Sequence, residues 1–367
     1  MKPNEKEKIN EQIVKLLEIY RNYQGVLNSE KTLDTTIIGS IKKATANQLR
    51  QQLMLMQSNV FEVVVFSTMS SGKSTFINAL IGKELLPARN EACTSRTIGI
   101  WDNDKTTKPV LHIERGLGNC QKFLDCTSES VAAATSESTD AITDIVIETD
   151  IQGIQNGKKS LFIVDTPGIN NNFDLGHAEI TKEYLNKHTA DLLLYIVNAE
   201  QIGTNDAATS LNILRTVYER TPQAQVLFIM NKADALDSER QPIENTIDYC
   251  RKFIESCGFV NPRILPVSSA AALLFKKVMQ EEPLSRSEQS RFLGYYEDFK
   301  PGAMNLAAYG NYKYQSAKSV IRTNNGQRYH WASLVAALEN TGFLEAERAI
   351  EDCLLKKNNN ERGKENG

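Results

Sequence analysis

The chain has 367 residues, 41% of them hydrophobic, and 42 basic against 45 acidic side chains give a net charge of −3. That length fits one large domain or two modest ones, and a near-even charge with no basic half argues against binding driven by neutralisation of nucleic-acid phosphates. The charged opening MKPNEKEKINEQ does not read as a secretory signal, and no run approaches the roughly 18 apolar residues of a membrane span.

Six cysteines, Cys93, Cys120, Cys126, Cys250, Cys257 and Cys353, form no C-x-x-C pair, and the four histidines do not cluster near them. Buried reduced thiols are the favoured reading over a zinc site. The expected compartment is the cytoplasm, with peripheral contact at a membrane left open.

Residues 1–57 are expected to be helical. Ile9, Ile13, Leu16, Tyr20, Tyr23 and Leu27 alternate spacings of four and three, a heptad-like seam. A polar stretch at 28–36 interrupts it, and Ile37, Ile41, Leu49 and Leu53 begin a second pattern. Two readings stand: a helical cover for the next domain, or half of a bundle that transmits nucleotide state.

From Phe61 the texture changes. The β-branched run FEVVVF is expected to be a strand buried on both faces of a parallel sheet. LFIV (161–164), LLLYIV (192–197), VLFIM (226–230) and ILPV (264–267) repeat the pattern between helical stretches. The fold class is therefore α/β, a doubly wound, mostly parallel sheet, whose ligands bind beyond the carboxyl ends of the strands. Residues 58–280 form this domain. The polar segment 101–140, with low-complexity TSESVAAATSES, is expected to be a surface insertion. Residues 281–330 read as an irregular polar linker. Their scattered tyrosines favour ordinary packing over stacking on single-stranded nucleic acid. A last helix is expected over 331–356, bent at Thr341-Gly342, and 357–367 as a disordered tail.

Four motifs follow strands in order. After FEVVVF comes Ser67-Thr68-Met69-Ser70-Ser71-Gly72-Lys73-Ser74, a P-loop whose first glycine is replaced by Ser67. Gly72 lets the backbone approach phosphates. Successive N–H groups through Ser70, Ser71 and Thr75, at a helix N-terminus, form an anion nest. Lys73 is expected on the β- and γ-phosphates and Ser74 on Mg²⁺. After LFIV, Asp165-Thr166-Pro167-Gly168 offers a carboxylate to Mg²⁺ through water and a glycine N–H to the γ-phosphate. After VLFIM, Asn231-Lys232-Ala233-Asp234 reads guanine: Asp234 accepts the N1–H and N2–H₂ pair that adenine lacks. Lys232 packs over the base, and Asn231 ties this loop to the P-loop. After ILPV, the backbone of Ser268 and Ser269 meets the guanine O6. Thr94, 21 positions after Lys73, is expected to close on Mg²⁺ and the attacking water, with Thr97 as runner-up.

Together S-S-G-K-S-T, FINALIGKELLP, C-T, DTPGI and NKAD resemble the dynamin superfamily, and within it the bacterial dynamin-like GTPases. NAEQIGTNDAATSL and TGFLEAERAI resemble that family's later segments. The resemblance covers about 58–278 and implies Mg²⁺-dependent GTP binding and hydrolysis, stimulated when two GTPase domains meet in a homodimer or a heterodimer with another dynamin-like chain. It gives Ser70 a part in placing a charge-compensating cation, and makes Lys73, Thr94 and Gly168 the other catalytic residues. Met69 departs from the glutamine that often holds the catalytic water there, and Ile169 stands where Ras-like enzymes carry a catalytic glutamine. About 90 residues follow the matched region, so the family's membrane-binding stalk is not expected within this sequence, which reads as a GTPase-plus-bundle fragment, a stalkless member or one half of a two-protein system. The second functional reading is a GTP-dependent interaction module with negligible turnover. The third, an unrelated translation- or septum-type GTPase, fits the N-terminal helices poorly.

Overall fold

The computed structural model describes residues 60–87, 97–115, 120–136, 142–155, 159–166, 190–236, 242–312, 321–324 and 327–365. The helices expected over 1–57 lie outside these, as do Thr94 and Gly168. Nine strands form one sheet in the order β4-β3-β5-β2-β6-β1-β7-β8-β9. They are β1 (Val60–Ser67), β2 (Ile98–Asp102), β3 (Val110–Arg115), β4 (Cys120–Leu124), β5 (Ile142–Thr149), β6 (Ser160–Asp165), β7 (Leu192–Asn198), β8 (Gln225–Asn231) and β9 (Ile264–Val267).

The five apolar runs of the sequence are β6, β1, β7, β8 and β9, and they pair in parallel. Every residue of β7 and β9 is buried, as a sheet covered on both faces requires. The sheet continues on the other side of β6, where the segment 101–140 was expected to be an insertion. β2 runs antiparallel to β6, β5 parallel to β2, and β3 and β4 complete the edge in antiparallel. Leu111 and Ile113 of β3 and Ile145 and Ile147 of β5 are buried at every second position. One-sided alternation of this kind looks polar when read as composition. The alanine-rich low-complexity stretch is helix α2 (Ser128–Ser136), after α1 (Lys73–Ile81). Its start is fixed by reciprocal bonds between Thr127 and Ser130.

Helices α3 (Asn205–Arg220), α4 (Ile243–Ser256) and α5 (Ser269–Met279) cover the parallel half. Along α4 the buried residues are Ile243, Ile247, Cys250 and Ile254, one stripe at helical spacing. The stretch expected to be irregular carries α6 (Arg286–Phe299). Ser285 and Glu288 form a reciprocal capping box, and Phe292 meets Phe275 of α5 edge-on at 5.6 Å. A hairpin, β10 (Ile321–Asn324) with β11 (Gln327–His330), follows.

The final helix is two: α7 (Trp331–Asn340) and α8 (Phe343–Glu365), the latter extending past the expected end at 356. Gly342 breaks them with φ +71, and a Cβ there would lie 2.3 Å from the Pro266 carbonyl oxygen. Helix α8 fastens distant segments through buried carboxylates. Glu345 accepts from the Asn311 and Tyr312 N–H groups at 2.9 and 3.3 Å, Glu347 pairs with Lys276, and Glu351 accepts from the Gln155 N–H at 3.1 Å. Among the described residues no helix is long and apolar enough to cross a membrane.

Candidate nucleotide site

The sequence motifs converge at the carboxyl ends of β1, β6, β8 and β9. The phosphate loop leaves β1 at Ser67, which is still paired with Ile196 of β7. Ser67 therefore keeps extended backbone, and the glycine usual at that position is not required. The turn that does need unusual backbone comes later, with Ser70 at φ +58 and Gly72 at φ +82. This alternation turns successive N–H groups into an anion-binding concavity, and α1 adds its positive end at Lys73. Ser71 and Lys73 are buried, with Ser74 and Thr75 half-buried behind them.

Ser70 stands in the left-handed region at a cost of about 1–2 kcal/mol, against about 0.5–1 kcal/mol of extra chain entropy for glycine. Ser70→Gly is expected to raise stability by about 0.5–1 kcal/mol in urea unfolding, while lowering GTP turnover if the hydroxyl helps place a cation. A variant that gains neither stability nor loses turnover would remove both arguments.

Lys73 forms a buried ion pair with Asp165 at the end of β6. The neighbouring Thr166 hydroxyl donates to the Val65 carbonyl at 2.6 Å and pins the second motif to β1. Asp165 Oδ2 is buried and has no hydrogen-bond partner among the described residues. A carboxylate oxygen and the Ser74 hydroxyl are hard donors, the kind Mg²⁺ takes, so the residues present fit that ion.

Asn231 joins the two halves of the site. Its amide donates to the Ser71 carbonyl at 2.9 Å, and its carbonyl oxygen accepts from the Ser269 N–H at 3.1 Å. The sequence-stated tie to the P-loop is thus present, with a second tie to the β9–α5 loop. The amide also lies 2.4 Å from where a Gly72 Cβ would stand. Beyond it, Lys232 takes φ +60 and turns the chain so that Asp234 becomes half-buried. Burial pushes the Asp234 carboxyl above its ordinary value, opposed by a hydrogen bond from the Ser268 hydroxyl and reinforced by nearby Asp298 and Glu200. Ser268 and Ser269 are fully buried. Their N–H groups, expected from the sequence to meet guanine O6, are both engaged within the protein, that of Ser268 with the Thr341 carbonyl at 3.0 Å and that of Ser269 with the Asn231 side-chain oxygen at 3.1 Å.

Sequence reasoning missed Asn78. Its side-chain oxygen accepts from the Leu85 and Leu86 N–H groups at 3.0 and 2.8 Å, and its amide donates to the Leu86 carbonyl at 2.7 Å. That fixes where the chain leaves α1 toward Thr94. The signal was a polar residue at a buried helical position of FINAL. Cys126, Cys250, Cys257 and Cys353 are free and buried. Burial raises their thiols, Cys250 to about 12 and Cys353 to about 11, so these thiols stay protonated at neutral pH.

A P-loop, a strand-end aspartate and an N-K-x-D loop, set in order on a parallel α/β sheet, define a P-loop GTPase domain. Residues 63–233 match the family model described as the Dynamin family, which makes this stretch similar to the dynamin GTPase domain. The chain is 30% identical over 246 residues to a bacterial dynamin-like protein of Nostoc punctiforme, covering 59% of this chain and 34% of that one. It is 22% identical over 245 residues to dynamin-like protein 1 of Campylobacter jejuni, covering 57% and 32%. It therefore spans about a third of the length of these relatives. A chain from the structure of an oligomerised bacterial dynamin pair superposes with a TM-score of 0.46 at 18% identity, over 98% of this chain and 50% of that one.

Proposed function

We propose that this protein binds GTP and hydrolyses it with Mg²⁺, and that turnover rises when two GTPase domains meet in a homodimer or with another dynamin-like chain. The observation that carries the reading is Asn231, whose side chain joins the phosphate loop at Ser71 to the base-side loop at Ser269. Lys73 and the N–H groups of Ser70 to Thr75 hold the phosphates, and Asp234 holds the guanine edge. Ser74, Thr94 and Asp165, the last through water, would hold the ion, which supplies charge neutralisation at the β- and γ-phosphates. Gly168 supplies an N–H to the γ-phosphate. In this reading Lys73 exchanges Asp165 for phosphate oxygens on binding. The flanking helices carry the nucleotide state onward, toward a membrane surface or a partner chain.

GTP turnover per molecule is expected to rise with protein concentration and to be abolished by Lys73→Ala. Turnover per molecule that stays flat over a hundredfold concentration range would sink dimer activation. The second reading, a GTP-dependent interaction module with negligible turnover, is favoured by Met69, which stands 36% exposed on the phosphate loop and cannot hold a water as glutamine does. Phosphate release in a single-turnover assay separates the two. Liposome flotation with and without GTP tests membrane contact.

A further inference from the structure

The corner between α7 and α8 reaches the base-reading side of the site. The Ser268 N–H donates to the Thr341 carbonyl at 3.0 Å, and both residues are fully buried. Ser268 is also the N-cap of α5, accepting from the Ala271 N–H at 3.4 Å, and its hydroxyl bonds the Asp234 carboxylate. The next residue, Ser269, holds Asn231, and Asn231 holds Ser71. Hydrogen bonds therefore link the corner to the guanine reader and, through Asn231, to the phosphate loop.

The corner itself is tightly defined. The Thr341 hydroxyl donates to the Leu338 carbonyl at 2.6 Å and accepts from the Phe343 N–H at 3.3 Å, so one side chain closes α7 and opens α8. Gly342 is wedged against the strand just before the loop: a Cβ would lie 2.3 Å from the Pro266 carbonyl oxygen and 3.0 Å from Leu306 Cβ. Phe343 packs on Phe76 of α1 at 5.2 Å. Lys276, which pairs with Glu347 of α8, donates to the Ala79 carbonyl of α1 at 2.6 Å.

We propose that Thr341 and Gly342 are positioning residues for guanine recognition, holding the β9–α5 loop so that Asp234 and Asn231 face the base. The proposal rests on the guanine-binding reading above. It makes base selectivity respond to the seat of α8, and by linkage guanine binding firms that seat in return. A displaced corner weakens what the base contributes and leaves what the phosphates contribute.

The test compares binding of GDP, IDP and ADP to the full chain by calorimetry. Hypoxanthine lacks the exocyclic amine, so IDP gives up one of the two bonds to Asp234, and wild type is expected to prefer GDP by about 10-fold or more. Gly342→Ala is expected to cut the GDP-to-IDP ratio at least threefold while ADP affinity stays within twofold. Thr341→Val should do the same and Thr341→Ser should restore the wild-type ratio, which keeps the test open if the glycine variant does not fold. A folded Gly342→Ala or Thr341→Val protein with lowered melting temperature but the wild-type ratio overturns the positioning role and leaves guanine recognition standing. A wild-type protein that does not distinguish GDP from IDP overturns guanine recognition itself, and this proposal with it.

Discussion

Lys73→Met is expected to destabilise the nucleotide-free protein by about 3–5 kcal/mol, because it leaves the Asp165 charge buried and unpaired. Lys73 is 8% and Asp165 1% exposed, so solvent does little to screen the loss. Methionine keeps the lysine stem, so the cost is electrostatic rather than a cavity. Adding Asp165→Asn removes the stranded charge and should recover most of the stability while restoring no turnover. Urea unfolding of the single and double variants checks this. If Lys73→Met unfolds at the wild-type midpoint, or the double variant recovers nothing, the pair does not carry that energy. The practical consequence is that an inactive lysine variant must be checked for folding before its inactivity is assigned to phosphate binding.

Asp234→Asn is expected to weaken GDP binding by about two to four orders of magnitude, since two charge-assisted hydrogen bonds of about 1.5–3 kcal/mol each are lost. Xanthine presents a carbonyl where guanine has its amine, and the asparagine amide can donate to it. XDP should therefore bind the variant better than GDP does, the reverse of wild type. A pH dependence follows from the raised Asp234 carboxyl. Guanine donors favour the ionised form, so the bound-state value is lower than the free-state one. GDP affinity is then full above the free-state value, falls as pH drops through it, and levels off below the bound-state value. Near the free-state value, binding releases protons, which calorimetry in buffers of different ionisation enthalpy detects. Wild-type affinity that is flat down through the carboxylate range would contradict this. The same shift means that ionised Asp234 costs the nucleotide-free fold some stability, which Asp234→Asn should return.

The parts of the site legible in sequence were contiguous words at strand ends: Ser70 to Ser74, Asp165, and Asn231 to Asp234. Their chemistry needs fixed residue types at fixed spacing, and the apolar runs before them mark the parallel strands. What stayed hidden has physical reasons. β3 and β5 are one-sided strands whose alternating polar residues dilute the apolar signal. α6 is announced by the Ser285–Glu288 box and by Phe292 and Phe299 seven apart, but the surrounding polarity outweighed those signs. The seat of Ser268 on Thr341 is a bond between two backbone groups, which no side-chain pattern records. Asn78 was passed over because a buried asparagine inside an apolar helix looks like an exception until its three bonds to the following loop are seen.

The side-chain amide of Asn231 occupies the space that a Cβ on Gly72 would enter. These two residues, 159 apart in the chain, thus share one volume. A larger residue at 72 meets both the left-handed backbone of that position and the Asn231 amide, and a shorter residue at 231 gives up the ties to Ser71 and Ser269 without relieving the backbone. In the space of possible sequences neither position has a neutral single step. The glycine of the phosphate motif is fixed here by a residue of the base-reading motif as well as by phosphate.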